Sequence, residues 1–336
     1  SMWAFGLYVR PLEDEFGWSR SEVSFAFSVS LLVSGMCSPF VGKWVDQRGA
    51  RSAIIVGGIA TSVTYVLLAT TQELWQWYAY STMNAMARTL MFFIPFMALI
   101  SRWFDRRRGI AVSILGTGFS LGGFLVLPVM GVTMDLLGWR GALVGSGVAV
   151  ATVFVSIGLF IVRDSPTEKG ATEEGTTHAG LATTKISLPS ITLREALRSP
   201  LFWTLSFALM LFFFGLFGWL VHQVPFYEAN GISRRAAATI VSVTAGLSIV
   251  TRLLVGLAAD RIPRFEFAAV VLAACLITGM ATLTISTSPT AIAIFLMFWV
   301  IGTAGGPMME ALLLTRAFGL AHFATILGAV AVVETF

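Results

Sequence analysis

Residues 42–51 read GKWVDQRGAR and carry the pattern Gly-x-x-x-Asp-x-x-Gly-x-Arg between two long apolar stretches. Glycine permits a sharp turn and the close approach of another backbone, and the aspartate with its neighbouring arginines can form ion pairs that break and re-form. The pattern therefore predicts a tight turn at a membrane surface with a part in gating. We expect this gating motif to consist of Gly42, Asp46, Gly49 and Arg51. A basic loop that only sets the topology is the alternative.

A second, weaker copy of the motif lies 214 positions further along the chain, at Gly256, Asp260 and Arg261. The same offset relates GWSR at 17–20 to GISR at 231–234. Parallel repeats of six spans are the internal symmetry of one large class of transporters. The repeat therefore predicts two halves of like topology, with a gating motif in each.

The composition of the chain excludes a water-soluble enzyme. Of 336 residues, 56% are hydrophobic and only 12% are charged, whereas soluble domains carry about 25% charged residues. A membrane-spanning helix needs about 20 apolar residues, and hydropathy predicts nine full spans. They lie near residues 23–45, 53–70, 77–100, 110–134, 142–162, 201–224, 236–259, 267–285 and 291–314. We number them spans 2 to 10, because the short apolar run at the start of the sequence counts as span 1.

These spans predict an all-α membrane protein of two six-helix bundles in parallel repeat. Residues 1–162 would form the N-terminal bundle and residues 200–336 the C-terminal bundle. Residues 163–199 form a polar central loop, in which Thr192 and Glu195 match a capping box that opens a short surface helix. Both ends of the sequence are short apolar runs, so we expect parts of spans 1 and 11, and all of span 12, to lie outside this sequence.

The basic residues predict the orientation. Fifteen of the 22 Lys and Arg residues lie in loops on one side and five on the other. The positive-inside rule places the richer side, and with it loop 163–199, in the cytoplasm. We expect a multi-pass protein of the cell (inner) membrane.

The two remaining basic residues, Arg88 and Arg252, lie within predicted spans. An arginine at the bilayer centre costs at least ~3 kcal/mol, so it faces a partner, a cavity or a water path. Its planar guanidinium suits a carboxylate. Both arginines are therefore candidate substrate-binding residues, and a structural pairing inside the bundle is the alternative for each.

Four further residues are candidates for the transport pathway. Glu310 and Glu334 lie in apolar spans, where carboxyl groups serve as proton relays, so we expect one of them, or the substrate itself, to carry the coupled proton. His222 lies at the end of span 7, opposite Tyr8 of span 1 by the repeat offset. These two predict a polar aromatic group near the outer mouth of each bundle, although surface histidines at helix ends are common.

Several functions have no support in the sequence. There is no phosphate loop, no metal-ligating constellation and no nucleophile with a nearby base. We therefore expect no enzyme activity, no metal and no cofactor, and the basic loops need no nucleic acid because topology explains them. With no ATP motif, transport would be driven by gradients.

The gating motif and its copy resemble the major facilitator superfamily, and the resemblance covers nearly all of the chain. Within this superfamily, the chain is similar to the bacterial monocarboxylate and oxalate–formate transporter group. The segments that carry this similarity are FGWSRSE (16–22), SRWFDRRRG (101–109), GWR (138–140), LREALRSPLFW (193–203) and HQVPF (222–226).

The resemblance implies a carboxylate anchor. In these relatives a span-8 arginine four residues before a glycine binds the substrate, and Arg252 and Gly256 keep that spacing. The chain departs from known carriers in three respects. Ser248 and Trp3 stand where the animal monocarboxylate carriers have an aspartate that takes part in proton coupling and a lysine of span 1. The oxalate–formate carriers use a lysine in span 11, and residues 326–336 contain no lysine.

The sequence thus predicts a secondary transporter of a small organic anion, most simply a monocarboxylate, that works by alternating access. We expect proton symport, a lipid bilayer environment and a monomer. The alternatives are anion antiport, drug efflux by the same fold, and a membrane sensor that binds without transporting.

Overall fold

A computed structural model describes residues 5–104, 107–164, 191–259, 261 and 265–335. Within these ranges every regular element is a helix. Two short π-helices, Ala151–Val155 and Ile157–Ile161, follow the sixth of the α-helices, which is kinked at Gly138, where φ is +69°. The elements are α1 (Phe5–Phe16), α2 (Arg20–Arg48), α3 (Ala50–Ala69), α4 (Leu74–Met91), α5 (Phe93–Trp103), α6 (Arg108–Val150), α7 (Leu193–Arg198), α8 (Pro200–Ala229), α9 (Arg234–Ala259), α10 (Phe265–Ile285), α11 (Pro289–Ala304), α12 (Gly306–Phe318) and α13 (Phe323–Thr335).

The helices fit a membrane environment. In the described part of the chain, eight helical stretches are long and apolar enough to cross a bilayer. Large apolar side chains such as Phe40, Phe160 and Phe214 are about three-quarters exposed, which is the pattern expected where lipid rather than water covers the surface. The one predicted span that is not among these eight, span 5 near residues 110–134, forms the first part of α6.

Two predicted spans are interrupted in the middle. Span 4 consists of α4 and α5, separated at Phe92, whose φ and ψ are −113° and −108°. Pro95 explains the break, because its ring has no N–H for the Met91 carbonyl and would collide with that carbonyl in a continuous helix. Span 10 divides into α11 and α12 at Gly305, two residues before Pro307. The two breaks are related by the 214-residue offset to within one position. The repeat therefore includes the helix breaks as well as the sequence motifs.

The turns before α2 and α9 show the same correspondence. Gly17 and Gly231 both have positive φ, at +69° and +80°. Two residues later, the hydroxyls of Ser19 and Ser233 each accept a hydrogen bond from the backbone three positions ahead. Such a hydroxyl satisfies an N–H that lacks a partner in the first turn. The repeated Gly-x-Ser-Arg segments are therefore equivalent helix starts.

The described chain forms two compact units. Unit 1 contains the described parts of Ser1–Trp103, Leu121–Ser206 and Phe318–Phe336, and unit 2 those of Phe104–Ser120 and Phe207–Ala317. These boundaries differ from the predicted bundles at residues 1–162 and 200–336. The difference arises because each unit groups the helices that contact one another: α13 packs on α2 in unit 1. The bundle boundaries themselves stay a prediction.

An aromatic core fills unit 1. Trp77 of α4 donates a 3.3 Å hydrogen bond to the Val23 carbonyl of α2, next to the buried Tyr8 and Leu12 of α1. At the end of α1, Glu15 accepts hydrogen bonds from Trp139 and Arg140 of α6 at 2.7 and 2.5 Å. These contacts fix α1 between α2 and α6.

Unit 2 has its own aromatic cluster, centred on Trp219 of α8. Its ring lies 5.1 Å from Phe295 and 5.8 Å from Trp299 of α11, and 5.9 Å from Tyr227. Such edge and tilted ring pairs contribute about 0.5–1.5 kcal/mol each beyond the area they bury. The cluster therefore holds α8 against α11.

The short helix α7 confirms the predicted capping box. The Thr192 N–H and hydroxyl donate to Glu195 at 2.8 and 2.7 Å, and Glu195 N–H donates back to the hydroxyl of Thr192. Ile191 N–H donates to the Phe318 carbonyl at the end of α12, and Ala196 is fully buried. The helix is thus docked on the protein in unit 1.

Acidification should release this cap. Hydrogen bonds from Thr192 lower the pKa of Glu195, and the charge of His322 adds to the effect. With a lowered pKa, the stabilisation is complete above the ordinary value of about 4.3 and is lost as the pH falls through the folded-state value. Hydrogen–deuterium exchange, corrected for intrinsic rates, should show α7 losing protection below about pH 4.

The control variant is Glu195→Gln, because glutamine also completes a capping box but does not titrate. Its protection should stay constant over the same pH range. An equal loss of protection in the variant would contradict the assignment to Glu195.

Candidate functional site

A cavity within unit 1 contains two of the predicted substrate-binding residues, Tyr8 and Arg88. Residues of α1, α2, α3, α4 and α6 line it, and its empty space is about 700 Å³ including the open mouth. Aromatic rings form much of the wall, among them Phe5, Phe27 and Trp77. Tyr8 is 5% exposed. The structure therefore brings an arginine and a tyrosine together in one largely aromatic cavity.

Arg88 is the only cation among the residues that line this cavity. It lies in the last turn of α4, half-buried, and Tyr65 of α3 is near enough to interact with it electrostatically. Among the described residues its guanidinium has neither a hydrogen bond nor an ion-pair partner. A buried cation without a counter-charge is costly, so this arrangement suits a site whose partner is a bound anion.

Sequence reasoning missed most of the polar residues around Arg88. Ser81, Asn84 and Arg88 follow one another at helical spacing on one face of α4, and Ser30 and Ser34 do so on α2. Side chains three and four positions apart share a helix face. A polar stripe within an apolar span was therefore the signal that could have identified this lining.

Arg252, the predicted carboxylate anchor, lies in unit 2 on α9. Its Nη1 donates a 2.9 Å hydrogen bond to the Gly116 carbonyl of α6. In this conformation the side chain joins α9 to α6, as expected if Arg252 has a structural role inside the bundle. A guanidinium has five N–H donors, so one hydrogen bond to a carbonyl does not decide whether Arg252 also binds a carboxylate. Its role as the carboxylate anchor stays a prediction.

The remaining pathway candidates lie in three different settings. His222 is exposed on α8 and is not part of the Arg88 cavity. Glu310 is fully buried on α12, one turn after the break at Gly305. Glu334 is half-buried on α13, and its Oε1 has no hydrogen bond among the described residues. Both carboxyls are thus placed within the protein, as expected of proton carriers, but that role stays a prediction.

The gating motif makes its main contact with α13. The Asp46 carboxylate, whose side chain is 5% exposed, accepts hydrogen bonds from Thr325 N–H at 2.8 Å and from the Thr325 hydroxyl at 2.6 Å. Ala324 N–H donates to it at 3.3 Å. The first N–H groups of a helix lack intrahelical partners and carry a partial positive charge. Asp46 therefore caps the start of α13.

Gly42 makes this cap possible. It lies one turn before Asp46, and a Cβ at this position would overlap the Ala324 carbonyl. Only glycine lets α2 approach α13 this closely. Its repeat equivalent Gly256 does the same in unit 2, where a Cβ would overlap the Ser113 hydroxyl and lie 2.9 Å from the Gly109 carbonyl of α6.

The rest of the motif holds the turn between α2 and α3. Gly49 has φ +83° and ends α2. In the described part of the chain Arg51 forms neither a hydrogen bond nor an ion pair with Asp46: its backbone N–H donates to Asp164 and its guanidinium to the carbonyls of Gly158 and Leu159. The ion-pair partner of Asp46 is Arg102 of α5, at 3.4 Å. Neither Arg102 nor Thr325 could be assigned as a partner from the sequence, because both contacts join distant parts of the chain.

The second copy of the motif is only partly described. Arg261 is exposed in the turn after α9, where its N–H donates to the Ala258 carbonyl at 3.0 Å. Asp260 lies outside the described residues.

Comparison with protein families identifies the fold. The model of the Major Facilitator Superfamily matches residues 1–336. The chain belongs to the major facilitator superfamily. This confirms the fold class predicted from the spans and the repeat, and the resemblance stated from the motif. The superfamily consists of transporters rather than enzymes, as expected from the sequence.

Curated superfamily members resemble the chain over 42% to 80% of its length. The oxalate:formate antiporter of Oxalobacter formigenes is 25% identical over 269 residues, which is 80% of this chain and 62% of the antiporter. Mouse monocarboxylate transporter 11 is 33% identical over 141 residues, 42% of this chain and 31% of the transporter. The chain thus spans less than two thirds of the length of these relatives.

Solved structures of the major facilitator superfamily share the fold. The proton:xylose symporter XylE matches with a TM-score of 0.70 at 16% identity, over 100% of this chain and 84% of the symporter. The fucose:proton symporter FucP of E. coli matches with a TM-score of 0.68 at 11% identity, over 99% and 86%. With its apolar helices, the family places the chain among multi-pass membrane proteins.

The cap on α13 predicts a local effect of Asp46→Asn in this superfamily member. An amide has one acceptor oxygen where the carboxylate has two, and hydrogen bonds to a charged group contribute about 1.5–3 kcal/mol. Exchange of the Ala324 and Thr325 amides should therefore accelerate roughly tenfold or more, since ~1.4 kcal/mol is a factor of ten. Hydrogen–deuterium exchange of a peptide covering 318–330 measures it.

Asp135→Asn is the matched control, because Asp135 is exposed on α6. It should leave the exchange of this peptide unchanged. Unchanged exchange in Asp46→Asn as well would show that Asp46 does not cap α13 in solution.

Proposed function

We propose that the full-length protein is a secondary active transporter of a small organic anion, a monocarboxylate, in the cell (inner) membrane. It works as a monomer by alternating access, with two bundles built from residues 1–162 and 200–336. Proton symport drives the transport.

The observation that carries this proposal is the unpaired guanidinium of Arg88 in the unit 1 cavity. A cation at mid-span is costly unless something compensates it. Among the described residues nothing does, whereas Asp46 pairs with Arg102 in the same unit. A carboxylate substrate supplies the missing charge and matches the fork of the guanidinium.

Arg252 supports the same substrate class in unit 2. It is a second mid-span arginine, and the transporter group that the sequence resembles binds a carboxylate at this spacing from Gly256. The names of the curated relatives point in the same direction, since they include a monocarboxylate transporter and an oxalate:formate antiporter. A drug-efflux carrier has less support, because a hydrophobic compound offers no negative charge to the guanidinium of Arg88.

The cap of Asp46 on α13 supports alternating access. Gating needs a contact that forms in one state and breaks in another, and a helix cap made of hydrogen bonds to a carboxylate can exchange with water. We assign the gating role to Gly42, Asp46, Gly49 and Arg51, with Gly256, Asp260 and Arg261 as the second copy.

Proton coupling is assigned to Glu310 or Glu334. Both are carboxyls on apolar helices, and two solved structures of the same fold are named proton symporters. Antiport of two anions is the second candidate, favoured by the name of the oxalate:formate antiporter.

Replacing Arg88 by glutamine should weaken the transport of carboxylates. The lost hydrogen bonds to a charged group are worth about 1.5–3 kcal/mol, so KM should rise roughly tenfold to a hundredfold, at ~1.4 kcal/mol for each factor of ten. Counterflow of short carboxylates in proteoliposomes measures this. Arg10→Gln, which removes an exposed charge from α1, should leave KM unchanged.

An unaltered KM in Arg88→Gln would refute the site. Arg252→Ala tests the second anchor in the same assay, and uptake equal to wild type would exclude that role. If cationic or neutral compounds exchange while every carboxylate fails, the substrate class itself is wrong.

A further experiment separates symport from antiport. An imposed pH gradient should drive accumulation without internal substrate if protons are coupled. Glu334→Gln should then lose this accumulation and keep counterflow, because exchange of substrate needs no net proton movement. Glu310→Gln is the parallel test, and Asp135→Asn is the control.

Accumulation that requires internal anion and ignores the pH gradient would establish antiport instead. Full gradient-driven uptake in both glutamine variants would remove Glu310 and Glu334 from the coupling mechanism.

A further inference from the structure

The hydrogen-bond pattern behind the Arg88 cavity fixes the orientation of the Asn84 side chain. The Thr64 hydroxyl donates its single hydrogen to the Thr61 carbonyl at 2.9 Å. Its oxygen can then only accept, so Asn84 must approach it with its amide nitrogen, Nδ2, at 2.9 Å. The carbonyl oxygen of Asn84 is left without a hydrogen bond among the described residues. Asn84 therefore offers a ligand an acceptor.

Ser34 is constrained in the same way on the α2 side of the cavity. Thr89 donates its hydroxyl hydrogen to the Ala85 carbonyl at 2.9 Å. While Thr89 makes that hydrogen bond, Ser34 is the donor in the 2.6 Å contact between the hydroxyls of Ser34 and Thr89. Because the only hydrogen of the Ser34 hydroxyl is used, its oxygen too can only accept from a ligand.

Arg88 has the opposite character, since a guanidinium only donates. It lies one helical turn after Asn84, so a donor fork and an acceptor are neighbours on the same face of α4. A ligand that satisfies both has an anionic group for Arg88 and a hydrogen-bond donor close by. The rings of Phe5, Phe27 and Trp77 provide an apolar wall for the rest of it.

We infer that the Arg88 cavity selects carboxylates that carry a hydroxyl group next to the carboxylate and a ring-sized apolar body. This inference rests on the proposed function and narrows its substrate class. A 2-oxo acid is disfavoured, because its carbonyl would meet the acceptor oxygens of Asn84 and Ser34 and leave them unsatisfied. Sites built to hydrogen-bond a hydroxyl discriminate strongly against analogues that lack it.

Three ligands with one phenyl body test the inference: mandelate, phenylacetate and benzoylformate, which carry a hydroxyl, two hydrogens and an oxo group beside the carboxylate. Affinities are measured by calorimetry on the purified full-length protein in nanodiscs. Mandelate should bind about tenfold more tightly than phenylacetate, the effect of one good hydrogen bond. Benzoylformate should bind more weakly than phenylacetate.

The variants Ser34→Ala and Asn84→Leu should each reduce the preference for mandelate over benzoylformate at least threefold. Ser34→Ala is the milder change and keeps the test valid if Asn84→Leu does not fold. Ser38→Ala is the control: Ser38 lies one turn further along α2, donates to the Ser34 carbonyl and does not line the cavity. It should retain the wild-type preference.

The outcomes separate this inference from the proposed function. Equal binding of the three ligands, or tighter binding of benzoylformate, would overturn the hydroxyl selection and leave carboxylate transport standing. Failure of all carboxylates, the three phenyl acids and shorter ones alike, would overturn both. If the preference for mandelate persists in both Ser34→Ala and Asn84→Leu, groups other than these two side chains bind the hydroxyl of the ligand.

Discussion

The cap that Asp46 places on α13 is the constraint on which unit 1 depends. A helix start within an apolar protein has N–H groups with no intrahelical partner, and leaving such groups buried and unsatisfied costs several kcal/mol in a membrane. Asp46 satisfies two of them and the Thr325 hydroxyl, which joins positions 279 residues apart. This is possible only because Gly42 lets α2 reach the backbone of α13. Replacing that glycine would separate the helices and remove the acceptor together.

Arg88, Arg102 and Arg252 lie within or at the end of membrane spans, and each accommodates its positive charge in a different way. Arg102 pairs with Asp46, Arg252 donates to a backbone carbonyl of α6, and Arg88 faces a cavity. The first two use their charge within the protein and thereby stabilise particular helix contacts. Of the three, Arg88 has neither a hydrogen bond nor an ion-pair partner among the described residues, which is why its position carries the functional argument.

How much of this the sequence could predict depends on the range of the interaction. Local signals were sufficient for the spans, for the Thr192 capping box and for the repeat, because each depends on neighbours within a few turns. The glycine turns at Gly17 and Gly231 even reproduce the repeat in their backbone angles. The break at Phe92 was missed although Pro95 was visible, since averaged hydropathy ignores a single missing N–H. The partners of Asp46 and the direction of the Asn84 amide were beyond reach, because both follow from contacts between distant segments.

The polar character of the cap suits the gating role that we propose for Asp46. Packing between apolar helices in lipid gains little from the hydrophobic effect, because the lipid chains replace one apolar surface by another. Hydrogen bonds to a carboxylate that meets water on opening are exchanged rather than lost, so each contributes only about 1.5–3 kcal/mol net. A contact of this kind is specific in its geometry yet small in its free energy. The alternating access that we propose for the full-length protein, between states of similar stability, requires that combination.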